Sequence, residues 1–88
     1  MAIVRAMRSK PVWFSRHAKN RMRRQKIAAA IVVNVIRSPE FEEQTIAGRT
    51  NRWRYFGRMM CRVTCQEERR RVVVVSVLFA RRRGRDRR

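Results

Sequence analysis

The stretch of residues 15–27 constrains the fold most, because it carries six basic residues, the only histidine and no acid. Ser15 is a suitable helix N-cap, since its hydroxyl can accept a hydrogen bond from an early helical N–H. A helix that begins there places His17, Arg21 and Arg24 on one face. The neighbouring stripe, which can pack inward, consists of Ala18, Met22 and Gln25. The stretch predicts either a phosphate-handling surface or an ordinary basic helix with one structural histidine.

The charge of the whole chain points to a polyanionic partner. Twenty-four Lys and Arg residues stand against six Asp and Glu residues, which gives a formal net charge of +18 and a pI near 12.0. Nucleic acid, the ribosome, an anionic membrane or an acidic protein would each balance this charge. Arginine suits bidentate phosphate contacts, although a GC-rich genome produces the same excess of arginine. The 88 residues, 44% of them hydrophobic, predict one small domain with a modest core.

The two cysteines indicate a reduced setting and neither a metal site nor a cofactor. Cys61 and Cys65 lie four residues apart in one predicted strand, roughly 13 Å, which is beyond the reach of a disulfide. With the distant His17 they offer at most three zinc ligands, at no familiar spacing. The longest apolar runs are too short to span a bilayer, and no signal peptide is recognisable. We therefore expect a cytoplasmic protein that does not enter a membrane.

The chain order predicts a basic arm over residues 1–10, a single domain over 11–80 and a disordered basic tail over 81–88. The first helix is expected over residues 16–25. Residues 28–37 fit a buried helix face, although their β-branched content would also allow a strand. Ser38-Pro39 ends this element, because the residue before proline is disfavoured in a helix.

From residue 40 the hydrophobic period changes from 3.6 to 2, which predicts strands. These are expected over residues 41–46, 52–56, 59–65 and 72–79. The pattern predicts an α+β domain, with two N-terminal helices packed on one face of a four-stranded antiparallel sheet. We expect the other face to be open and to carry Arg54, Arg62 and Tyr55.

Several short motifs resemble the DUF4258 family of small, mostly bacterial proteins. The resemblance covers roughly residues 12–79 and rests on His17-Ala18-x-x-Arg21-Met22-x-x-Gln25-x-Ile27, Ser38-Pro39, Gly48 and Val72–Val77. Two positions depart from the family pattern. Gln25 stands where an arginine is usual, and Lys26 stands where a glycine or another turn residue is common. If the family arginine is functional, its role is in doubt in this chain.

The resemblance extends to the RelE/ParE and barnase-like toxin folds, which share the two-helix, four-strand plan. Some proteins of that wider group cut RNA, and others bind gyrase or have lost activity. It therefore implies a toxin of a toxin–antitoxin system that acts on RNA or the ribosome and is neutralised by a small acidic antitoxin. Fold analogy alone does not confer an activity.

A metal-independent endoribonuclease needs a base, an acid and positive charge around the phosphate. His17 is the candidate base or acid, with Arg21, Arg62 and Tyr55 as further catalytic candidates. No carboxylate is well placed for a barnase-type mechanism, so the arginine-rich RelE type is the one considered. The structural alternative for His17 is a hydrogen bond to the sheet backbone that fixes the helix against a strand.

Further arginines are candidates for nucleic-acid binding: Arg16, Arg24, Arg52, Arg54, Arg81, Arg82 and Arg83. Four aromatic side chains, Trp13, Trp53, Tyr55 and Phe56, interleave with Arg52 and Arg54. This pattern is typical of a stacking platform for single-stranded RNA, whereas the alternative, the filling of a small core, is expected for Trp13 and for at least one of Trp53 and Phe56. We therefore predict a nucleic-acid-binding protein, RNA first, with ribonuclease activity as one hypothesis and a non-catalytic nucleic-acid or ribosome-binding module as the other. An anionic-membrane binder is disfavoured, because no helix has a large exposed apolar face.

Overall fold

The computed structural model describes residues 10–45 and 47–81. These residues form two helices and five strands. In chain order the elements are β1 (Val12–Phe14), α1 (Arg16–Gln25), α2 (Ala29–Arg37), β2 (Phe41–Gln44), β3 (Thr50–Phe56), β4 (Met59–Glu67) and β5 (Val72–Arg81). The predicted α+β class and both predicted helices are confirmed, and the stretch of residues 28–37 is helical from Ala29 onwards.

The five strands form one mixed sheet, so the prediction of four antiparallel strands is wrong in one respect. The strand order is β1-β5-β4-β3-β2. Strands β2 to β5 form the predicted antiparallel meander, whereas β1 pairs in parallel with β5, with Val12 opposite Val72. Residues 12–14, before α1, were not among the predicted strands. They pair with β5 at the edge of the sheet.

One face of the sheet, here called the core face, is covered by both helices. It carries buried Cys61, Val63, Cys65 and the alternate residues of β5, which pack against Ala18 of α1 and three residues of α2. Helix α1 packs against β5, and α2 packs against β4 and β3. Because side chains alternate along a strand, every second residue points to the opposite side, here called the open face. No helix or strand of the described residues covers the open face.

Helix α1 is fixed at its beginning by Ser15. The hydroxyl of Ser15 accepts the N–H of Ala18 at 3.1 Å, as the sequence predicted for an N-cap. The same hydroxyl donates to the Val75 carbonyl at 3.0 Å, and the Ser15 N–H donates to the Val74 carbonyl at 2.9 Å. The strand register shifts at this point, because Thr64 pairs with Ser76 and Cys65 pairs with Val74. This bulge leaves the Val75 carbonyl available to Ser15.

Helix α2 is held by its apolar face. Val32, Val35 and Ile36 are buried at 3.6-residue spacing, whereas the N-cap residue Ala28 provides no side-chain hydrogen bond. Burying three aliphatic side chains stabilises the domain by several kcal/mol, at about 1.5–3 kcal/mol each. The helix therefore depends on tertiary packing more than on its caps.

The predicted domain boundaries can be compared with the structure only in part. Lys10, placed in the predicted arm, donates to Glu67 at 2.7 Å and to the Glu68 carbonyl at 2.8 Å. Arg81, placed in the predicted tail, is the last residue of β5. The rest of the arm, the rest of the tail and Ile46 of the first predicted strand lie outside the described residues.

We expect Ser15→Ala to lower the free energy of unfolding by about 2 kcal/mol, because it removes an N-cap and a second hydrogen bond to β5. Urea denaturation at fixed salt measures this. Ser38→Ala is the matched control, since the Ser38 side chain is exposed, and its effect should stay within about 0.5 kcal/mol. Equal effects of the two substitutions would contradict the role given to Ser15.

Candidate nucleic-acid interface

The exposed surface of α1 has a concentrated positive charge. Arg16, Lys19, Arg23 and Arg24 are exposed along the helix, and the exposed Lys26 ends it in the left-handed conformation. The first turn holds no acid and begins with Arg16. A cation near a helix N-terminus opposes the helix dipole, whereas Arg23 and Arg24 in the last turn favour it, so helix stability does not account for Arg16.

One flank of α1 combines the three residues that the sequence placed on one face. His17 and Arg24 are exposed, and Arg21 is partly buried between them and the core stripe. The Nε atom of Arg21 is enclosed and has no hydrogen-bond acceptor within the described residues. An enclosed N–H without an acceptor costs roughly 1–3 kcal/mol. This flank therefore offers a guanidinium group for which the described part of the fold provides no counterion.

The structural alternative for His17 does not match the contacts of α1. The side chain of His17 makes no hydrogen bond with the part of the chain that the structure describes. Ser15 at one end and Gln25 at the other fix the helix to β5 instead, and Gln25 Nε2 donates to the Phe79 carbonyl at 3.1 Å. The helical spacing of Gln25 with Ala18 indicated that it could turn inward, but no sequence signal pointed to its partner. At the position where the family pattern has arginine, this chain has a helix-to-strand hydrogen bond.

The acidic side chains that the structure describes mostly bond to residues outside α1. Glu67 pairs with Lys10 at 2.7 Å, Glu68 with Arg71 at 2.8 Å, and Glu42 with Arg52 at 3.3 Å. Glu40 accepts the backbone N–H of Tyr55 at 3.1 Å. Within the described ranges, no ion pair includes a residue of α1. The positive charge of α1 is thus left for an external anion.

The open face carries aromatic side chains on its outer strands. Trp53 and Tyr55 of β3 lie on this face, together with Phe41 of β2 and Trp13 of β1. The rings of Phe41 and Trp53 are 5.1 Å apart, and 60% of Phe41 is exposed. At the other edge Arg71 lies over the Trp13 ring, 5.2 Å from its centroid. These aromatics are outside the core, so the core-filling alternative fails for Trp13, Trp53 and Tyr55 but holds for Phe56, which packs against the core.

Arg62 lies in the middle of the open face, between Trp53 of β3 and Leu78 of β5. This location was predicted. Like Arg21, Arg62 has an enclosed Nε atom without an acceptor among the described residues. These are the two enclosed side-chain nitrogen atoms of the described chain that lack an acceptor. Both belong to arginines that the sequence predicted as catalytic candidates.

Arg52 does not serve as the predicted nucleic-acid contact, because only 5% of it is exposed. Its Nη1 donates to Cys65 Sγ at 2.8 Å and its Nη2 donates to Glu42 at 3.3 Å. Glu42 lies directly opposite Arg52 in the strand pair. A buried cation is tolerated only with such partners. Arg52 is therefore a structural residue of the core face.

Arg54 also departs from its prediction, since it lies on the core face and not on the open face. Its Nη1 donates to the carbonyl of Ser38 at the end of α2, at 2.6 Å. A cation at a helix C-terminus is favourable, so Arg54 joins β3 to α2. Arg81 is exposed at the end of β5, while Arg82 and Arg83 lie outside the described residues.

The cysteines offer no reactive thiolate. Both are free and fully buried. Burial raises the pKa of the Cys61 thiol to about 11. Burial also raises the pKa of Cys65, against the opposing charge and hydrogen bond of Arg52. Protonated, buried thiols are poor nucleophiles and poor metal ligands. Among residues 10–45 and 47–81, no three His, Cys, Asp or Glu side chains are grouped so that they could hold a metal ion.

The four catalytic candidates are divided between the two sides of the sheet. His17 and Arg21 lie on α1, which packs on the core face, whereas Arg62 and Tyr55 lie on the open face. The sequence indicated which strand residues share a face, but it could not place a helix flank relative to the sheet. The structure brings the candidates together in two pairs and not as one cluster.

The fold and the surface define a small, basic α+β protein with a cationic helix and an aromatic sheet face. The sequence profile of one family, Domain of unknown function (DUF4258), matches residues 14–82. Since the match covers more than half of the chain, the protein belongs to the DUF4258 family. Comparisons with curated proteins and with solved structures found no match. No helix within the described ranges is long and apolar enough to cross a membrane.

We expect Arg52→Ala to lower the free energy of unfolding by about 2–4 kcal/mol, because it leaves a cavity and removes the partner of Glu42. The affinity of the folded variant for RNA should stay within about twofold of wild type, since the guanidinium is not exposed. Urea denaturation and fluorescence anisotropy measure the two quantities, and Arg49→Ala, at an exposed turn, is the control. A stable Arg52→Ala variant with weakened RNA binding would reinstate the predicted contact.

Proposed function

We propose that this protein binds nucleic acid, RNA in the first place, and that the exposed surface of α1 contacts the phosphates. The observation that carries the proposal is the run of basic residues on α1 that no acid of the described chain pairs with. Four of the exposed residues are Arg16, Lys19, Arg23 and Arg24. A stripe of cations along one helix is the electrostatic footprint of a phosphate-binding surface.

Arginine on this surface suits phosphate better than lysine does, because a guanidinium donates two parallel hydrogen bonds to one phosphate. The enclosed Nε of Arg21 adds a specific group, since a small movement of the guanidinium towards an anion would satisfy it. The formal net charge of +18 supplies long-range attraction for any polyanion. A ribosome presents the same chemistry as free RNA and is included in the proposal.

The toxin hypothesis belongs to the same proposal. The resemblance to RelE/ParE-like toxins would make the protein one partner of a toxin–antitoxin pair. A small acidic antitoxin would then cover the cationic surface of α1 and compete with RNA. This relation rests on the order of elements and the charge.

Ribonuclease activity is the second candidate function. It is supported by His17, which is exposed beside Arg21 and Arg24 on one flank of α1 and is the type of side chain that moves protons near neutral pH. The location of Arg62 and Tyr55 on the other side of the sheet argues against a four-residue catalytic site. Binding is therefore the primary proposal.

The first test compares two triple variants that remove equal charge. Arg16→Ala, Lys19→Ala and Arg24→Ala together should weaken RNA binding and reduce the slope of log affinity against log salt by about 2–3. The control removes exposed turn arginines through Arg49→Ala, Arg58→Ala and Arg69→Ala, and it should change the slope by less than about 1. Fluorescence anisotropy across a salt series gives both slopes.

Equal slopes for the two triple variants would show that net charge alone attracts RNA. This result would contradict the assignment of the phosphate contacts to α1. If the affinity of the wild-type protein does not change with salt, the protein makes no phosphate contacts and the proposal is wrong.

A cleavage assay tests the second candidate function. We expect total RNA incubated with wild-type protein in EDTA to stay intact, because the catalytic candidates do not form one cluster. His17→Ala is the matched control, since His17 is exposed and its replacement should preserve the fold. Discrete cleavage by wild type that is absent from His17→Ala would contradict this expectation and establish a ribonuclease.

A further inference from the structure

The register of the strands places four side chains in one row across the open face. Phe41 lies opposite Trp53, Trp53 lies opposite Arg62, and Arg62 lies opposite Leu78. Adjacent strands are about 4.8 Å apart, so the row extends over roughly 14 Å. Its order is two aromatic rings, one guanidinium and one aliphatic side chain. Tyr55, two residues along β3 from Trp53, flanks the row on the same face.

The stability of the fold does not account for this row. The core lies on the other face, and 60% of Phe41 is exposed on a four-residue edge strand. Arg62, beside this aromatic pair, forms no ion pair within the described chain. Its enclosed Nε atom also lacks an acceptor there, which lowers the stability of the fold. Threonine and valine would serve a solvent-facing sheet equally well.

The charged and neutral polar side chains of the open face indicate which kind of ligand fits it. Arg62 is central, Glu43 lies on the edge strand β2, and Arg71, over the Trp13 ring at the other edge, is paired with Glu68. The neutral hydrogen-bonding side chains Asn51, Thr64, Gln66 and Ser76 lie on the same face. Flat rings, a central cation and neutral donors and acceptors match a nucleotide, which has a flat base, an anionic phosphate and polar edges.

We propose that the open face stacks unpaired bases on Phe41 and Trp53 while Arg62 meets a phosphate of the same strand, so that the ligand is single-stranded nucleic acid. The inference rests on the proposed function and restricts the ligand from nucleic acid in general to a single strand. Bases within a duplex are stacked on each other and cannot reach a ring on the sheet surface. A row of this length has room for about two bases.

Other occupants of the face are distinguishable. A second copy of the chain could cover the aromatic row, but two chains of formal charge +18 repel each other. An apolar peptide would leave Arg62 without an anion. The second copy is an outcome of the test below.

The test uses a Trp13→Phe variant of the full chain, in which Trp53 is the single tryptophan. The probe is a 12-nucleotide, non-self-complementary RNA, offered alone, annealed to its complement, or as DNA of the same sequence. We expect the single strand to quench Trp53 fluorescence and to bind at least tenfold more tightly than the duplex. Equal binding of the RNA and DNA strands would support stacking without a role for the ribose hydroxyl.

Two substitutions on the row and one on the other face complete the design. Trp53→Leu and, separately, Phe41→Ala should weaken single-strand binding about tenfold and change duplex binding less than twofold. Phe41→Ala keeps the test decisive if Trp53→Leu fails to fold, because Phe41 is an exposed edge residue. Phe56→Leu, on the core face of the same strand, is the matched control and should leave single-strand affinity unchanged.

Four results would overturn the inference. Equal affinity for single strand and duplex without quenching would remove the stacking role and leave phosphate binding by α1 intact. Binding of the single strand by Phe41→Ala with wild-type affinity would also remove the stacking role. Sedimentation that shows a wild-type dimer and a Phe41→Ala monomer would assign the face to a second copy. Failure to bind any nucleic acid would remove the proposed function together with this inference.

Discussion

The attachment of α1 to β5 is the constraint on which the surface of this protein depends. Ser15 bonds to the Val74 and Val75 carbonyls, Gln25 bonds to the Phe79 carbonyl, and Ala18 is buried between them. These contacts fix the rotation of the helix about its own axis. Its basic residues must therefore face outward, away from the acids that pair with Lys10, Arg52 and Arg71. A few neutral hydrogen bonds thus maintain a cationic surface that would otherwise be free to reorient.

The alternation of β3 divides the remaining arginines and aromatics into two roles. Arg52 and Arg54 point to the core face, where they bond to Cys65 and to the end of α2. Trp53 and Tyr55 point to the open face, in line with Arg62 of the neighbouring strand. The arginines of β3 therefore have structural contacts on the core face, whereas its aromatic side chains are available to ligands on the open face.

Much of the fold could be predicted from the sequence, because period and capping are local properties. Ser15 identified the first helix, and the change of period after Pro39 identified the strands. The pairing of β1 could not be predicted, since three residues carry no signal for a distant parallel partner. The burial of Arg52 was missed because alternation gives a side chain's face but does not show which face the helices cover. The contact of Gln25 with Phe79 depends on a similarly distant strand.

The central claim is that α1 contacts phosphates and that the open face stacks unpaired bases. A titration of nitrogen-15-labelled full-length protein with single-stranded RNA, followed by NMR, tests it most directly. We predict concerted shifts of the α1 amides, the Nε–H signals of Arg21 and Arg62, and the indole N–H of Trp53. The amides of α2 should move little, because its one basic residue is Arg37 in the last turn. Shifts that occur on α2 but not on α1 or Trp53 would contradict the claim.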